Sequence, residues 1–177
     1  MPFTGEERKK ACMKAMRLLE HMDRTEKGLT DRLRQAGFSD DAVQYAMDYV
    51  KSYGYINDAR YARNYIAYRL ETKSKQRILQ ELGQKGIDRE VAMAAWEETA
   101  EIEEPDEKGL LRRTVEKKYP CHTELDEKEM RRLYGYLARR GFCSCDIFSV
   151  LEEMNITQKK KKFNNSLEKL DIILKNR

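Results

Sequence analysis

The chain holds only three prolines, one tryptophan and two histidines in 177 residues. With so few prolines, long stretches are free to run as helix, because proline removes a backbone donor and breaks the helical ladder. The histidines, His21 and His122, stand near no serine or cysteine nucleophile pattern, and HExxH, GxxxxGK[ST] and GxGxxG are all missing. The carboxylates fall in charge runs, not in apolar surroundings that would shift a pKa. These absences argue against an enzyme and give no cofactor to expect. The four cysteines, Cys12, Cys121, Cys143 and Cys145, form no CxxC pair, which reads as reduced thiols and not as a disulfide scaffold. A zinc ion would have to gather Cys121, His122, Cys143 and Cys145, whose spacing is that of no known finger, so no metal is expected. No uncharged apolar run approaches the roughly 18 residues of a membrane span, and MPFTGEERKK lacks a signal peptide's apolar core. A cytoplasmic protein is the expectation.

What is present is charge. Charged residues make up 37% of the chain and hydrophobic residues 40%, with a mean hydropathy of -0.86. That is a charge-rich, helix-favouring composition on a chain long enough to bury a core. The net charge of +4 is mild, so any electrostatic partner must be read from how the charges are distributed.

The apolar residues recur at helical spacing. Ala11, Ala15, Leu18, Leu19 and Met22 mark a first helix from about Glu6 to His21. Thr25 caps a second that carries Leu29 and Leu33 and stops at Gly37; Gly28 stands where a capping-box acid would be. Ser39 caps a third with Val43, Ala46, Met47 and Val50, ending near Gly54. The pattern then restarts. Asn57 or Asp58 caps a helix with Tyr61, Ala62, Tyr65, Ile66 and Tyr68; Ser74 caps one with Ile78 and Leu82 that closes at Gly86; Asp88 caps one with Val91, Ala95 and Trp96. A third round follows from Lys108, with Asp126 and Glu129 as a capping box and Gly141-Phe142 as the stop.

Superposed, LTDRLRQAGFS, ILQELGQKGID and LYGYLARRGFC each place an apolar residue, another four later, glycine four beyond, then a bulky apolar residue. A three-turn helix cannot bury its stripe alone, whereas tandem units can share one continuous core. The predicted architecture is all-α: three tandem three-helix repeats at 1–56, 57–104 and 105–155, with a tail at 156–177. The first two should pack closely through the short GYINDARY joint. Glu97, Glu98, Glu101, Glu103, Glu104, Asp106 and Glu107 around Pro105 read as a helix fraying into a solvated connector that can bend. In the tail, Lys159 to Lys162 precede Phe163, Leu167, Leu170 and Leu174 at helical spacing. A tenth helix, a partner-binding helix and an extension without a role all fit.

Base density peaks in the middle repeat. Arg60, Arg63, Arg69, Lys73, Lys75, Arg77 and Lys85 face only Glu71 and Glu81, a local excess of +5. Tyr61, Tyr65 and Tyr68 lie among them, offering stacking area if exposed, although their i, i+4, i+7 spacing reads first as core. Arg32, Arg34, Arg112, Arg113, Arg131, Arg132, Arg139 and Arg140 add basic sites in the outer repeats. Such residues suit phosphates or an acidic protein groove; singly, each also reads as solvated helix surface. Reversing Arg69, Lys73 and Arg77 to Glu is expected to abolish binding without altering helix content or melting.

GYINDARYARNYI followed by SKQRILQELGQKGID resembles the RecX family, regulators of the bacterial recombinase RecA. RTEKGLTDRLRQAGFSDDAV and LYGYLARRGFCSCDIFSVLEEM resemble the family's first and last modules, and the likeness spans about residues 10 to 155. Gly28 and Gly83 depart from the pattern, and the tail has no counterpart in it. The resemblance implies a curved, elongated array without catalytic chemistry. It further implies binding of a monomer in the groove of the RecA–single-stranded-DNA filament, suppressing ATP hydrolysis, strand exchange and coprotease activity. DNA would be a secondary contact.

Two other classes compete. A direct DNA-binding helical module would use the helices joined through Gly37 as a helix-turn-helix. The second of these carries Asp40, Asp41, Gln44 and Asp48 on its polar side, which opposes major-groove reading. A structural adaptor would need no nucleic acid, and DNA titration at two salt concentrations separates it.

Overall fold

Capping sets where almost every helix begins. In the computed structural model, which describes residues 4–159, the helices are α1 (Thr4–His21), α2 (Glu26–Gln35), α3 (Asp40–Ser52), α4 (Asp58–Arg69), α5 (Lys75–Gln84), α6 (Arg89–Glu103), α7 (Glu107–Glu116), α8 (Glu127–Arg139) and α9 (Ser144–Glu153). From α2 to α9, each starts at a side-chain cap that accepts a backbone N–H. Asn57, not Asp58, caps α4, and Asp126 with Glu129 forms the expected capping box on α8. The stops repeat as well. Gly37, Gly86 and Gly141 have φ of 85, 87 and 87°, and the following residue's N–H reaches back five residues in each, from Phe38 to Leu33, Ile87 to Leu82 and Phe142 to Leu137. That left-handed glycine closes the middle helix of every unit.

In each unit the first and third helices pair most closely, and the middle helix lies against them. Leu29 and Leu33, Ile78 and Leu82, and Leu133 and Leu137 are the buried stripes of the three middle helices. Three separate cores form, where one continuous core was expected. Each unit closes around its own stripe, and helix ends meet between units, where backbone groups require polar partners.

Those joints repeat too. The buried Thr25 hydroxyl, cap of α2, donates to the Lys85 carbonyl at the end of α5 (2.7 Å), and the buried Ser74 hydroxyl, cap of α5, donates to the Arg140 carbonyl at the end of α8 (2.7 Å). Beside each, a carboxylate of the next unit accepts the first N–H of the same helix: Asp58 from Glu26 (2.9 Å) and Glu107 from Lys75 (3.2 Å). Burial pushes both carboxyls above their ordinary range, although the accepted N–H pulls the other way. The folded state therefore holds these protons more tightly than the unfolded chain. Their ionisation costs stability at neutral pH, and that cost is relieved as pH falls through the raised folded pKa. Asp58→Asn and Glu107→Gln keep an acceptor oxygen and remove the buried charge, so unfolding midpoints at pH 7 should hold or rise. Asp58→Ala and Glu107→Ala should each lose about 1 kcal/mol with the hydrogen bond.

Several expectations shift. Helix α6 runs to Glu103, so most of the acidic stretch is helical and the connector is only residues 104–106, with Glu104 at φ 44°. Met22 falls past the end of α1 and is exposed, and Tyr68 is 77% exposed instead of core. Two residues beyond Ile66, it points roughly 200° away around α4. A short parallel pair was not foreseen: β1 (Glu124–Leu125) with β2 (Thr157–Gln158). Ile156 joins the third core, so that unit continues past residue 155. The sequence pattern at Phe163, Leu167, Leu170 and Leu174 lies outside the described residues.

Candidate functional site

The seven bases of the middle unit are not a free surface, because each has a local partner. Glu81, on α5 with only 13% of its side chain exposed, is the centre. It accepts from Lys73 Nζ (2.6 and 2.7 Å), Arg77 Nε (3.1 Å) and the Tyr65 hydroxyl (2.6 Å). Burial raises the Glu81 carboxyl, but the three donors outweigh it and hold the pKa below the ordinary value. Burial, then the bond to Glu81, pushes the Tyr65 phenol up to about 12. Arg63 pairs with Glu98 at 2.9 Å. Arg60 donates to the Gly54 and Tyr55 carbonyls (both 3.4 Å), pinning the joint between the first two units.

The remaining bases lie on rings. The Arg69 guanidinium sits 5.6 Å from the Tyr65 centroid and 5.0 Å from that of Tyr68. Lys75 lies over Trp96, and Lys85 over Tyr61 and Tyr65. A desolvated cation on an aromatic face is worth about 0.5–2 kcal/mol. Tyr61 and Tyr65 are half-buried against the second core, which agrees with their spacing.

The outer bases divide. Arg34 pairs with Asp40 (3.0 Å), Arg112 with Glu153, Arg131 with Glu127 (3.0 Å), and Arg113 stands 4.0 Å from Asp106. Arg32 reaches Gln35 (3.4 Å), and Arg140 stacks on Tyr136. Arg132 and Arg139 are exposed and have no carboxylate partner among the described residues.

The structure gathers bases of two repeats that sequence spacing kept apart. A groove of about 330 Å³ at the joint of the second and third units is lined by Lys73, Arg77, Arg139 and Arg140, with Glu81 its one carboxylate. The corresponding joint of the first two units has a groove of about 260 Å³ whose walls include Arg24, Lys27 and Lys85 together with Asp23 and Asp31. At the open end of α2 a third, of about 350 Å³, holds Lys14, Arg24 and Arg32 without an acid. Each middle helix thus ends beside cations, as its dipole favours, and each such end opens on a groove. Lys14, Arg24 and Lys27 were not singled out in the sequence. The repeat offered the clue, since they surround positions equivalent to the peak of base density. An exposed run of Tyr49, Tyr53 and Tyr55, ring centroids 4.9 and 5.9 Å apart, was also missed.

No group of three or more His, Cys, Asp or Glu side chains among the described residues is placed to hold a metal. Cys143 serves as the cap of α9, and Cys121 and Cys145 are exposed. No helix among the described residues is long and apolar enough to cross a membrane.

Known proteins share this arrangement. Residues 11–49, 57–95 and 106–151 match the family descriptions RecX first, second and third three-helix domain. The chain belongs to the RecX family. Its relatives include proteins named "Regulatory protein RecX": one from Caldanaerobacter subterraneus subsp. tengcongensis is 34% identical, over 85% of this chain and 72% of the relative. Another, from Amycolatopsis mediterranei, is 32% identical over 82% of this chain and 83% of the relative. A Clostridium perfringens relative is 30% identical, and this chain spans 60% of its length. The crystal structure of RecX from Lactobacillus salivarius has the same fold, with a TM-score of 0.66 at 22% identity over 85% of this chain and 97% of that one. The relatives' shared name makes the family one of regulatory proteins.

Proposed function

We propose that this RecX-family chain is a non-catalytic regulator that binds the RecA–single-stranded-DNA filament. As a monomer it inhibits the filament's ATPase, recombinase and coprotease activities, and so restrains DNA repair and the SOS response. The observation that carries the reading is the cationic groove in which Lys73, Arg77, Arg139 and Arg140 converge from two repeats. Four cations around one carboxylate attract an anionic polymer or an acidic protein face. Nothing about such a groove requires bond-making chemistry, which fits a ligand that acts by occupancy.

Direct DNA binding without a recombinase is the second reading. Against it, the acids of α3 stay on its outer face: Asp40 and Asp41 are held by Arg34 and Arg8, and Asp48 by Gln44. The one base of α3, Lys51, is paired with Glu26, so this helix offers no free cation to the phosphates flanking a major groove.

The test is DNA-dependent ATP hydrolysis by RecA with this protein titrated below one copy per recombinase. Inhibition at such ratios supports the reading; no effect at excess with a cognate recombinase overturns it. The variant to use is Arg132→Glu with Arg139→Glu, seven residues apart on one face of α8. Both side chains are exposed and outside the Glu81 network. Melting should be unchanged, and the inhibitory concentration should rise about tenfold or more. Reversing Arg69, Lys73 and Arg77, by contrast, places new carboxylates around Glu81 and destabilises the middle unit, so loss of activity there would not report on contact alone.

A further inference from the structure

The first unit carries an aromatic stripe far from the cationic groove of the second joint. Tyr45, Tyr49 and Tyr53 follow at four-residue spacing along the outer face of α3, and Tyr55 extends the line past the helix end. All four are exposed, Tyr53 to 62%. One end of the stripe shows what it can hold. The Arg8 guanidinium of α1 lies 5.1 Å from the Tyr45 centroid while it donates to both carboxylate oxygens of Asp41 (2.7 and 2.8 Å). An aspartate and a tyrosine of α3 thus clasp one arginine between them.

The same parts recur further along the helix without an arginine. Asp48, seven residues beyond Asp41, returns to within about 20° of the same face. It accepts from the Gln44 amide (2.8 Å) and has no cation partner among the described residues. Asp48 and Tyr49 both neighbour Ser52 on the helix surface, at i+4 and i+3. The Ser52 hydroxyl is turned to the Tyr49 carbonyl (2.8 Å), and so small a side chain does not fill the space between carboxylate and ring. Among the described residues no cation lies over Tyr49, Tyr53 or Tyr55.

We infer that this stripe is a protein-docking surface on which Asp48, Tyr49 and Tyr53 receive an arginine side chain of the partner, as Asp41 and Tyr45 receive Arg8. The inference rests on the functional reading above, in which the partner is the recombinase filament, and gives the first unit a contact of its own. Guanidinium stacks on a ring and pairs with a carboxylate at once, and exposed tyrosines are frequent anchors of protein interfaces. Stacked tyrosines also suit unpaired bases, but a strand needs cations beside them. Here the local cations are taken: Arg8 by Asp41, Lys51 by Glu26, and Arg60 by the Gly54 and Tyr55 carbonyls. The groove of about 300 Å³ at Tyr55 adds Glu20 and Asp23 to the acidic side. Charge therefore favours a basic protein face over a nucleic acid.

Anisotropy of the labelled full chain, titrated with RecA filaments on single-stranded DNA and with that DNA alone, tests it. Tyr49→Ala with Tyr53→Ala should weaken filament binding about tenfold or more and leave helix content unchanged. Asp48→Asn, which keeps an acceptor for Gln44, should weaken it about threefold or more. Tyr49→Phe with Tyr53→Phe keeps the ring faces and should stay within about twofold of the wild type. Affinity for the DNA alone should be the same in all of them. Full filament binding by the alanine variant, an equal loss in the phenylalanine variant, or a parallel loss on free DNA would each overturn the docking surface while the functional reading stands. A wild type that does not bind the filament would remove that reading and this inference together.

Discussion

Glu81→Ala is expected to lower the unfolding free energy by about 2–3 kcal/mol. Glu81 is mostly buried and accepts from Tyr65, Lys73 and Arg77 at once. Hydrogen bonds to a charged group are worth about 1.5–3 kcal/mol each, but they share one acceptor and do not add. Lys73 and Arg77, 27% and 41% exposed, partly regain water when the carboxylate is removed, which keeps the loss below that of a fully buried pair. Glu81→Gln retains an acceptor and should lose about half as much. The acid dependence follows from the direction of the shift. With the folded pKa lowered, the contribution is full above the unfolded value and disappears as pH falls through the folded one. Tyr65 sets the alkaline side: with its phenol raised to about 12, its contribution is full below the ordinary phenol value and is lost as pH rises through 12. Denaturant midpoints across pH should therefore show an acid shoulder in the wild type that Glu81→Ala lacks. If the variant keeps that shoulder, Glu81 is not the group responsible.

The same residue shows what sequence could and could not reveal. Helices, caps and repeats were legible because they are local: Thr25, Ser39, Ser74 and Asp126 cap where their neighbours say they should, and the apolar stripes are buried. The family motif was legible for the same reason. The Glu81 network joins residues up to sixteen apart through a turn, and Glu81 looked like one of two stray acids in a basic stretch. The charge excess could be counted in the sequence, but the local partners of those bases could not. Lys73 and Arg77 are partly consumed by Glu81, and Arg69, Lys75 and Lys85 by aromatic rings. The joints escaped for a different reason. A hydroxyl that caps its own helix looks satisfied in sequence, and its second bond, to a carbonyl 60 or 66 residues away, is set only by the stacking of units. Arg139 and Arg140 became neighbours of Lys73 by that same stacking.

The stacking makes three equivalent glycines unequal. All three stops have φ near 85–87°, so alanine at any of them carries about 1 kcal/mol of left-handed strain. At Gly37, the open end of α2, a Cβ would meet nothing within 4 Å among the described residues, and Gly37→Ala should cost only that strain. At Gly86 a Cβ would lie 2.3–2.9 Å from the Lys27 side chain, whose outer carbons can swing aside but whose Cβ cannot do so freely. At Gly141 it would lie 2.6 Å from the Ser74 hydroxyl and 2.9 Å from the Arg77 backbone nitrogen, and backbone in the first turn of a helix does not yield. Overpacking of that kind adds about 1–3 kcal/mol, so Gly141→Ala should cost about 3 kcal/mol in all and loosen the bond between Ser74 and the Arg140 carbonyl. Amide exchange at Arg77 should accelerate in Gly141→Ala and not in Gly37→Ala. The cationic groove is built across this joint, so the proposed inhibition of RecA should weaken in the former and persist in the latter, even though the two glycines are equivalent in the repeat. Equal destabilisation at all three positions would mean that the units are not held by their helix ends, and the repeated hydroxyl-to-carbonyl bonds would then be incidental to the array.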